Sequence, residues 1–156
     1  MKAAVFSDTH GNIALMLQAA RDYRPDVLIH LGDHARDAEA LRRDFPDTPL
    51  YVVSGNCDFG SAAPLAQVVP LGPVKALICH GHQYNVDYGV DSLVYAAQEC
   101  GCALAFYGHT HRADRQEIGG VQVLNPGTAG QGRQRSWASV EVFPNGGVAC
   151  EIHFFD

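Results

Sequence analysis

Residues 3–34 decide the fold, and they read AAVFSDTHGNIALMLQAARDYRPDVLIHLGDH. The stretch begins with one short apolar run and ends with another, Val27 to Leu31. Between the two runs, apolar residues recur at the spacing of one helix face: Ile13, Met16, Leu17 and Ala20. Asn12 stands where its side chain can cap that helix. The order strand, helix, strand predicts a βαβ unit with parallel strands.

The same alternation of apolar runs and helix-period segments extends to residue 110. It predicts a mainly parallel sheet with these candidate strands: Ala3 to Phe6, Val27 to Leu31, Leu50 to Val53, Val74 to Cys79 and Leu104 to Tyr107. A second helix is predicted from Ala35 to Arg43, because Pro46 cannot continue it. A third helix is predicted to have Asp91 as its cap and to end at Gly101, with an inward face of Leu93, Val94 and Ala97.

The pattern changes after His111, where the helical signals end. Three further strands are predicted, separated by turn-forming clusters of glycine and asparagine: Val121 to Leu124, Trp137 to Phe143 and Val148 to Phe155. Tight turns between strands favour antiparallel pairing. Because no repeat, low-complexity tract or linker separates this part from the rest, we expect residues 1–156 to form a single α/β domain.

The composition of the chain disfavours two classes of binding partner, nucleic acids and membranes. The chain has 156 residues, 47% of them hydrophobic, and its formal net charge of -6 disfavours non-specific nucleic-acid binding. No apolar run reaches the roughly 20 residues of a membrane span, and Ala3 to Phe6 is shorter than a signal-peptide core. The five cysteines lack the spacing of a zinc site or a disulfide framework. We therefore expect a cytoplasmic protein with free thiols and no membrane partner, and the sequence leaves open whether it is a homo-oligomer.

Polar side chains of the metal-binding type follow almost every candidate parallel strand. In open α/β sheets ligands bind beyond the carboxyl ends of the strands, so we expect these side chains to converge on one crevice. Imidazole, carboxylate and amide oxygen suit Mn²⁺, Fe²⁺, Ni²⁺, Co²⁺ and Zn²⁺, and the lack of thiolates disfavours a closed structural zinc site. The seven residues are Asp8, His10, Asp33, Asn56, His80, His109 and His111.

Two pairs of these donors have the same spacing, Asp8 with His10 and His109 with His111. In an extended chain, residues i and i+2 project to the same side about 6 to 7 Å apart. Such a pair can close on one ion or can supply two ions roughly 3.5 to 4 Å apart. The spacing alone leaves both arrangements open.

Five short motifs, in this order, resemble those of the calcineurin-like metallophosphoesterase superfamily, and specifically its small prokaryotic phosphodiesterase branch. The likeness covers nearly the whole chain, because Asn125 to Thr128 also resembles the Asn-Pro-Gly-Ser turn of that branch. It implies a sandwich of two sheets flanked by helices, with a mainly parallel βαβ part followed by antiparallel strands. The motifs are Asp8 to Asn12, Leu31 to Asp33, Gly55 to Asp58, Cys79 to His82 and Gly108 to His111.

The resemblance implies that Asp33 bridges two divalent metal ions, which would be Mn²⁺ or, alternatively, Ni²⁺, Co²⁺, Fe²⁺ or Zn²⁺. It assigns three further ligands to each ion: Asp8, His10 and His111 to the first, and Asn56, His80 and His109 to the second. Two dications against two carboxylates leave a positive surplus that would attract a phosphate and activate a metal-bridging hydroxide for in-line attack on phosphorus. The expected catalytic residues are Asp33, Asn56 and His109.

One position departs from the pattern of many relatives. A histidine that protonates the leaving group often follows the metal-binding asparagine, whereas Cys57 and Asp58 follow Asn56 here. Lost general-acid help is worth about 100- to 10,000-fold, so we expect a preference for phosphodiesters with acidic leaving groups. His30, inside an apolar strand, is expected to be structural. The side chains expected to contact the substrate or to support the ligands are Asn12, Cys57, Asp58 and His82.

Three functions remain open at this point. The first is metal-dependent hydrolysis of a small phosphodiester. The second is a non-catalytic protein-binding scaffold of the same fold, as in the retromer subunit of this superfamily, and the complete ligand set disfavours it. The third is a phosphomonoesterase, which the departure at Cys57 disfavours. Fold alone does not separate them, because function resides in the site.

Overall fold

The computed structural model describes residues 1–156. The strands are β1 (Lys2–Phe6), β2 (Val27–His30), β3 (Leu50–Val52), β4 (Ala66–Leu71), β5 (Val74–Cys79), β6 (Leu104–Phe106), β7 (Asp114–Ile118), β8 (Val121–Asn125), β9 (Ser136–Val142) and β10 (Val148–Phe154). The helices are α1 (Ala14–Tyr23), α2 (Ala38–Asp44) and α3 (Asp91–Glu99). Two short 3₁₀ turns cover Ala35–Asp37 and His82–Tyr84.

Two five-stranded sheets pack face to face. The first has the order β10-β9-β1-β2-β3, and the second has the order β4-β5-β6-β8-β7. In the first sheet β1, β2 and β3 run parallel, and in the second sheet β5, β6 and β8 run parallel. All other pairings are antiparallel. This arrangement confirms the expected α/β fold of two sheets flanked by helices.

The apolar residues of the strands and helices form three clusters. Side chains of both sheets build a central cluster of 17 buried residues, in which Ile29 and Phe106 are fully buried. On the outer face of the first sheet, Met16 of α1 and Leu41 of α2 pack against the strands. On the outer face of the second sheet, α3 packs through its predicted inward residues Leu93, Val94 and Ala97. The layers are therefore helix, sheet, sheet and helix.

The predicted helices are present, but both predicted side-chain caps are wrong. α1 begins after Ile13, and Asn12 instead donates its side-chain N–H to the carbonyl oxygen of Gly130. α3 begins after Val90, so Asp91 is the first helical residue, and no side-chain bond caps the helix. A carboxylate in the first turn still stabilises the helix through the helix dipole. The second predicted helix starts as a 3₁₀ turn and continues as α2.

The predicted strands are also present, each within one residue of its predicted ends. Two strands lie outside the predicted set, and both are edge strands. β4 contains Pro70, which has no N–H to donate, and β7 reads Asp-Arg-Gln-Glu-Ile without alternating apolar residues. Each pairs on one side only, β4 with β5 and β7 with β8. The neighbouring strand, rather than the local pattern, stabilises them.

All five cysteines are free thiols, as predicted. None of the helices combines the length and the apolar character that a membrane crossing requires.

Candidate metal centre

Loops at the carboxyl ends of five strands carry the seven predicted metal ligands. In the first sheet, the loops after β1, β2 and β3 carry Asp8, His10, Asp33 and Asn56. In the second sheet, the loops after β5 and β6 carry His80, His109 and His111. The structure brings four of them together, with ligand atoms within 4.8 Å of one another: Asp8, His10, Asp33 and His111.

The Asp8 carboxylate is held by one oxygen and presents the other to this cluster. Its Oδ2 accepts hydrogen bonds from the Ser7 hydroxyl at 2.5 Å and from the His109 N–H at 3.1 Å. Its Oδ1 is buried without a hydrogen-bond partner and lies 3.1 Å from His111 Nε2 and 3.8 Å from His80 Nε2. The close approach of Asp8 raises the pKa of His111, although partial burial opposes the shift.

Asp33 lies between two histidines. Its Oδ1 accepts a hydrogen bond from the Cys57 N–H at 3.0 Å and lies 3.3 Å from His80 Nε2, whereas its Oδ2 lies 3.8 Å from His10 Nε2. Burial alone would raise the pKa of this carboxyl, but His80 and the Cys57 N–H hold the pKa well below its usual range. Asp33 is therefore an anion whose two oxygens face different imidazoles.

His80 is fully buried and is oriented by the backbone. Its Nδ1 lies 2.7 Å from the carbonyl oxygen of Leu31, so Nδ1 carries a proton and donates it. Its Nε2 faces Asp8 and Asp33 and has no hydrogen-bond partner. Burial lowers the pKa of His80, but the two carboxylates outweigh burial and the pKa is raised. Buried polar atoms without a partner are rare, and Asp8 Oδ1 and His80 Nε2 together fit a bound cation.

A second set of donors adjoins His80. The ring centroid of His109 lies 5.2 Å from that of His80, and His109 Nδ1 lies 3.0 Å from the side-chain oxygen of Asn56. On its other edge, His109 Nε2 lies 2.8 Å from Asp87 Oδ2. A carboxylate that holds one imidazole nitrogen leaves the other nitrogen free to bind a metal. Asp87 belongs to none of the sequence motifs, and sequence analysis missed it.

The backbone of these loops is not extended, so the expected i, i+2 geometry is wrong. Asp8 and His10 have φ angles of 53° and 45°, and His109 and His111 have φ angles of 69° and 58°. Asp33 shares this left-handed conformation, with a φ of 53°. Each such residue costs of order 1–3 kcal/mol, and strained residues of this kind cluster at functional sites. The donors therefore meet through tight left-handed turns.

Two glycines allow the carboxylates to lie close to neighbouring loops. A Cβ on Gly108 would lie 2.8 Å from Asp8 Oδ2 and would also collide with the Ser7 hydroxyl. A Cβ on Gly55 would lie 3.0 Å from Asp33 Cγ and would also collide with its Oδ1. Any side chain at either position would displace a carboxylate, so close packing fixes both glycines.

Asp58 connects two of the loops that carry ligands. Its Oδ1 accepts a hydrogen bond from the Ala35 N–H and its Oδ2 accepts one from the Gly55 N–H, both at 2.8 Å. These bonds join the loop after β2 to the loop after β3. Both oxygens of Asp58 are thus engaged with backbone, which fits support of the ligands better than contact with a substrate.

His30 supports the loop after β1 and is structural, as expected. It is fully buried; its Nδ1 accepts a hydrogen bond from the Gly32 N–H at 3.2 Å, and its Nε2 lies 3.1 Å from the Thr9 hydroxyl. That hydroxyl donates to Asp37 Oδ2 at 2.7 Å, so Nε2 is the donor to Thr9. Asp37 also accepts from the Gly11 N–H at 2.7 Å. Burial lowers the pKa of His30 to about 4, which keeps the ring neutral.

The turn at Asn125 to Thr128 supports the site from the second sheet. Asn125 donates its side-chain N–H groups to the Gly108 carbonyl oxygen at 2.9 Å and to the Thr110 hydroxyl at 3.0 Å. Thr128 donates its hydroxyl to the carbonyl oxygen of Asp8 at 2.8 Å. The turn thereby links the loops after β1 and β6.

The remaining predicted residues lie around the donors. The His82 ring centroid lies 5.6 Å from that of His80, and burial together with the neighbouring histidines lowers the pKa of His82. Cys57 is exposed; partial loss of water around its sulfur and the nearby Asp33 raise the pKa of the thiol. Asn12 directs its side chain to a backbone carbonyl rather than to the donors.

The two-sheet fold and the donor cluster at its strand ends define the class of the protein. Residues 1–143 match the calcineurin-like phosphoesterase superfamily domain. The chain therefore belongs to the calcineurin-like phosphoesterase superfamily, as its motifs predict.

Relatives agree with this assignment. The chain is 28% identical over 158 residues to a probable metallophosphoesterase of Bacillus subtilis, a match that covers 100% of this chain and 91% of the relative. It is 26% identical over 148 residues to a phosphodiesterase of Methanocaldococcus jannaschii, covering 81% of this chain and 83% of the relative.

Solved structures share the fold. A predicted phosphoesterase from Streptococcus pneumoniae superposes with a TM-score of 0.76 at 26% identity, covering 99% of this chain and 97% of that chain. Vps29 from Entamoeba histolytica, solved in complex with zinc, superposes with a TM-score of 0.79 at 21% identity, covering 100% of both chains. The second likeness is one of fold alone.

Proposed function

We propose that residues 1–156 form one metallophosphoesterase domain that hydrolyses a phosphodiester at a dinuclear metal centre. The observation that carries the proposal is the pair of buried, unpartnered ligand atoms, Asp8 Oδ1 and His80 Nε2, which lie 3.8 Å apart. Leaving such atoms unpaired in a folded interior is costly, and bound cations would satisfy both. The imidazole, carboxylate and amide donors around them suit Mn²⁺ and its neighbours in the first transition row.

The ligands divide into two sets that share Asp33. Asp8, His10 and His111 would hold the first ion, because their ligand atoms cluster with Asp33. The other set is Asn56, His80 and His109: His109 lies beside both Asn56 and His80, and His80 Nε2 lies 3.3 Å from Asp33 Oδ1. Asp33 suits a bridging role because its oxygens face His10 and His80 separately.

The chain's contribution to catalysis is to position charge. When bound, two dications supply the positive charge that holds a phosphate and lower the pKa of the attacking water. Asp33, Asn56 and His109 would be catalytic through their contact with the ions. Asp87, Asp37 and Asp58 hold these ligands or their loops by hydrogen bonds, so the centre is preorganised.

We propose a phosphodiester with an acidic leaving group, because Cys57 stands where many relatives have a proton-donating histidine. A thiol is a poor substitute for an imidazolium as the proton donor to a departing alkoxide. The leaving group must therefore be stable as an anion, as an aryl oxide is. The relative from Methanocaldococcus jannaschii is named a phosphodiesterase, which supports this choice.

A non-catalytic scaffold is the second candidate, because the fold is shared with Vps29. The seven donors and the unpartnered atoms among them favour the enzyme.

The test removes metal with chelator, restores Mn²⁺, Ni²⁺, Co²⁺ or Zn²⁺ singly, and compares hydrolysis of bis(p-nitrophenyl) phosphate with that of p-nitrophenyl phosphate. We expect turnover only with metal, and faster turnover of the diester. Absent turnover with every metal would favour the scaffold, and metal-independent turnover would reject the proposed metal centre. Faster hydrolysis of the monoester would make the protein a phosphomonoesterase.

A further inference from the structure

An open groove of about 920 Å³ lies beside the candidate metal centre, against edge strand β3. Three of its lining residues, His34, Cys57 and Asp58, also border the centre. The His34 ring centroid lies 5.1 Å from that of His10, and the Cys57 N–H donates to Asp33. The groove is therefore continuous with the centre, and its volume falls in the range of small-molecule sites.

The walls of the groove carry two aromatic side chains. Tyr51 belongs to β3 and also packs against the central cluster, and Phe59 belongs to the loop after β3. Phe59 is 94% exposed, so its ring is open to a ligand. An exposed aromatic face stacks on flat rings with little dependence on the identity of the ring.

Among the charged residues of the groove, Arg36 is the cation without an ion-pair partner. Arg42 pairs with Glu39 at 3.4 Å, and both oxygens of Asp58 accept backbone hydrogen bonds. The Arg36 guanidinium is exposed and makes no salt bridge. A guanidinium can stack on a ring or donate to its carbonyl oxygens.

We propose that this groove binds the aromatic ring of a nucleoside-sized ester group. The group belongs to the phosphodiester whose phosphate occupies the metal centre. The inference rests on the proposed function. The ester would thus be recognised at two places. The bound metal ions would hold its phosphate, and the exposed ring of Phe59 would stack on its aromatic ring, with Tyr51 in the groove wall and Arg36 at the polar edge of the ring.

The test uses two diesters with the same p-nitrophenolate leaving group, thymidine 5′-(p-nitrophenyl phosphate) and methyl p-nitrophenyl phosphate, so that bond breaking is matched. With Mn²⁺-loaded protein we expect kcat/KM for the thymidine ester to be at least about tenfold higher, in line with the stacking of one base. Phe59→Ala is expected to remove most of this preference. Phe154→Ala is the matched control, because it removes an exposed phenylalanine at the opposite edge of the first sheet.

Isothermal titration with thymidine 5′-monophosphate and with methyl phosphate measures the same contact without turnover. Tighter binding of the thymidine compound, weakened by Phe59→Ala and unchanged by Phe154→Ala, supports the proposal. Equal kcat/KM for the two esters, or a preference that Phe59→Ala leaves intact, overturns the proposal and leaves the phosphodiesterase activity standing. If neither ester is hydrolysed, the proposed function is overturned instead. The titrations then test the groove by themselves, and equal binding of thymidine 5′-monophosphate and methyl phosphate would overturn its proposed role in ring binding.

Discussion

At the scale of single residues, the Asp87 carboxylate is expected to hold His109 for the second metal ion. Its Oδ2 lies 2.8 Å from His109 Nε2, so it fixes the ring while Nδ1 faces Asn56. Loss of such a partner lowers metal affinity by about 10- to 100-fold. We therefore expect Asp87→Asn to weaken one Mn²⁺ site by this factor in isothermal titration and to leave the other unchanged.

Asp91→Asn is the control for this experiment, because Asp91 is an exposed aspartate four residues further along the chain and makes no hydrogen bond to the donors. Equal titration curves for wild type and Asp87→Asn would show that Asp87 does not support metal binding through His109.

The proposed bridging role of Asp33 predicts a different result. Because its oxygens face His10 and His80 on separate sides, Asp33→Asn is expected to weaken binding of both ions by more than about 100-fold. Metal content after gel filtration measures this loss. Cys57→Ala is the control, since it keeps the backbone N–H that position 57 donates to Asp33 and removes none of the seven proposed ligands, and that variant should retain its metal. Normal occupancy in Asp33→Asn would reject the bridging assignment.

The sequence places seven candidate donors after recognisable strands, at the edge where ligands bind in such sheets, and the structure brings four of them within 4.8 Å of one another. The sequence did not predict Asp87, Asp37 or the left-handed backbone of the loops. Asp87 reaches His109 across 22 positions of the chain, and the sequence contains no spacing rule for such a contact. The i, i+2 argument failed because Asp8 has a φ of 53°, and a motif does not specify backbone angles.

At the scale of elements, Asp58 is expected to act on stability as well as on the site, because it joins the loops after β2 and β3. Asp58→Asn replaces one acceptor by a donor opposite a backbone N–H, which costs about 1–3 kcal/mol of unfolding free energy. We expect this loss in urea unfolding in the presence of chelator. Asp47→Asn, an exposed aspartate without hydrogen bonds, should have no effect. An unchanged stability would leave Asp58 with a substrate-binding role alone.

The buried His30 in β2 predicts a pH dependence of stability. Its pKa is about 4 in the folded protein and about 6.5 when unfolded, so between these values the unfolded chain binds the extra proton. The contribution of His30 to the free energy of unfolding is fully present above pH 6.5. It is lost as the pH falls to 4, by about 3 kcal/mol in total. We expect urea unfolding in chelator to show this slope in wild type and a smaller slope in His30→Gln. Parallel slopes would show that His30 does not titrate in this way.

Element prediction succeeded where the local pattern and the fold agree. β5 is apolar in its buried half and turns abruptly polar at His80, so its end is visible in the sequence. β7 has three exposed residues in its centre and forms only because β8 provides a partner. The Asn12 cap failed because a side chain able to cap a helix can equally reach a carbonyl across the fold, here that of Gly130.

At the scale of the whole molecule, the candidate metal centre lies between the loops of the two sheets. Asp8, His10, Asp33 and Asn56 come from loops of the first sheet, and the three other proposed ligands come from loops of the second. The direct connections between these loops are few hydrogen bonds, such as that from the His109 N–H to Asp8. Ions bound between the sheets would add links that the unfolded chain lacks.

Metal binding is therefore expected to raise the melting temperature. An ion that binds only the folded state contributes about 2.7 kcal/mol at 100 times its dissociation constant, which corresponds to about 5–10 °C in a domain of this size. We expect this rise when Mn²⁺ is added to chelator-treated wild type in scanning calorimetry, and a much smaller rise for Asp33→Asn. Each protein is compared with itself, so any change that the substitution makes to the metal-free fold cancels. An equal rise in both proteins would mean that Mn²⁺ stabilises the chain elsewhere, and the sheets would then not be joined through Asp33.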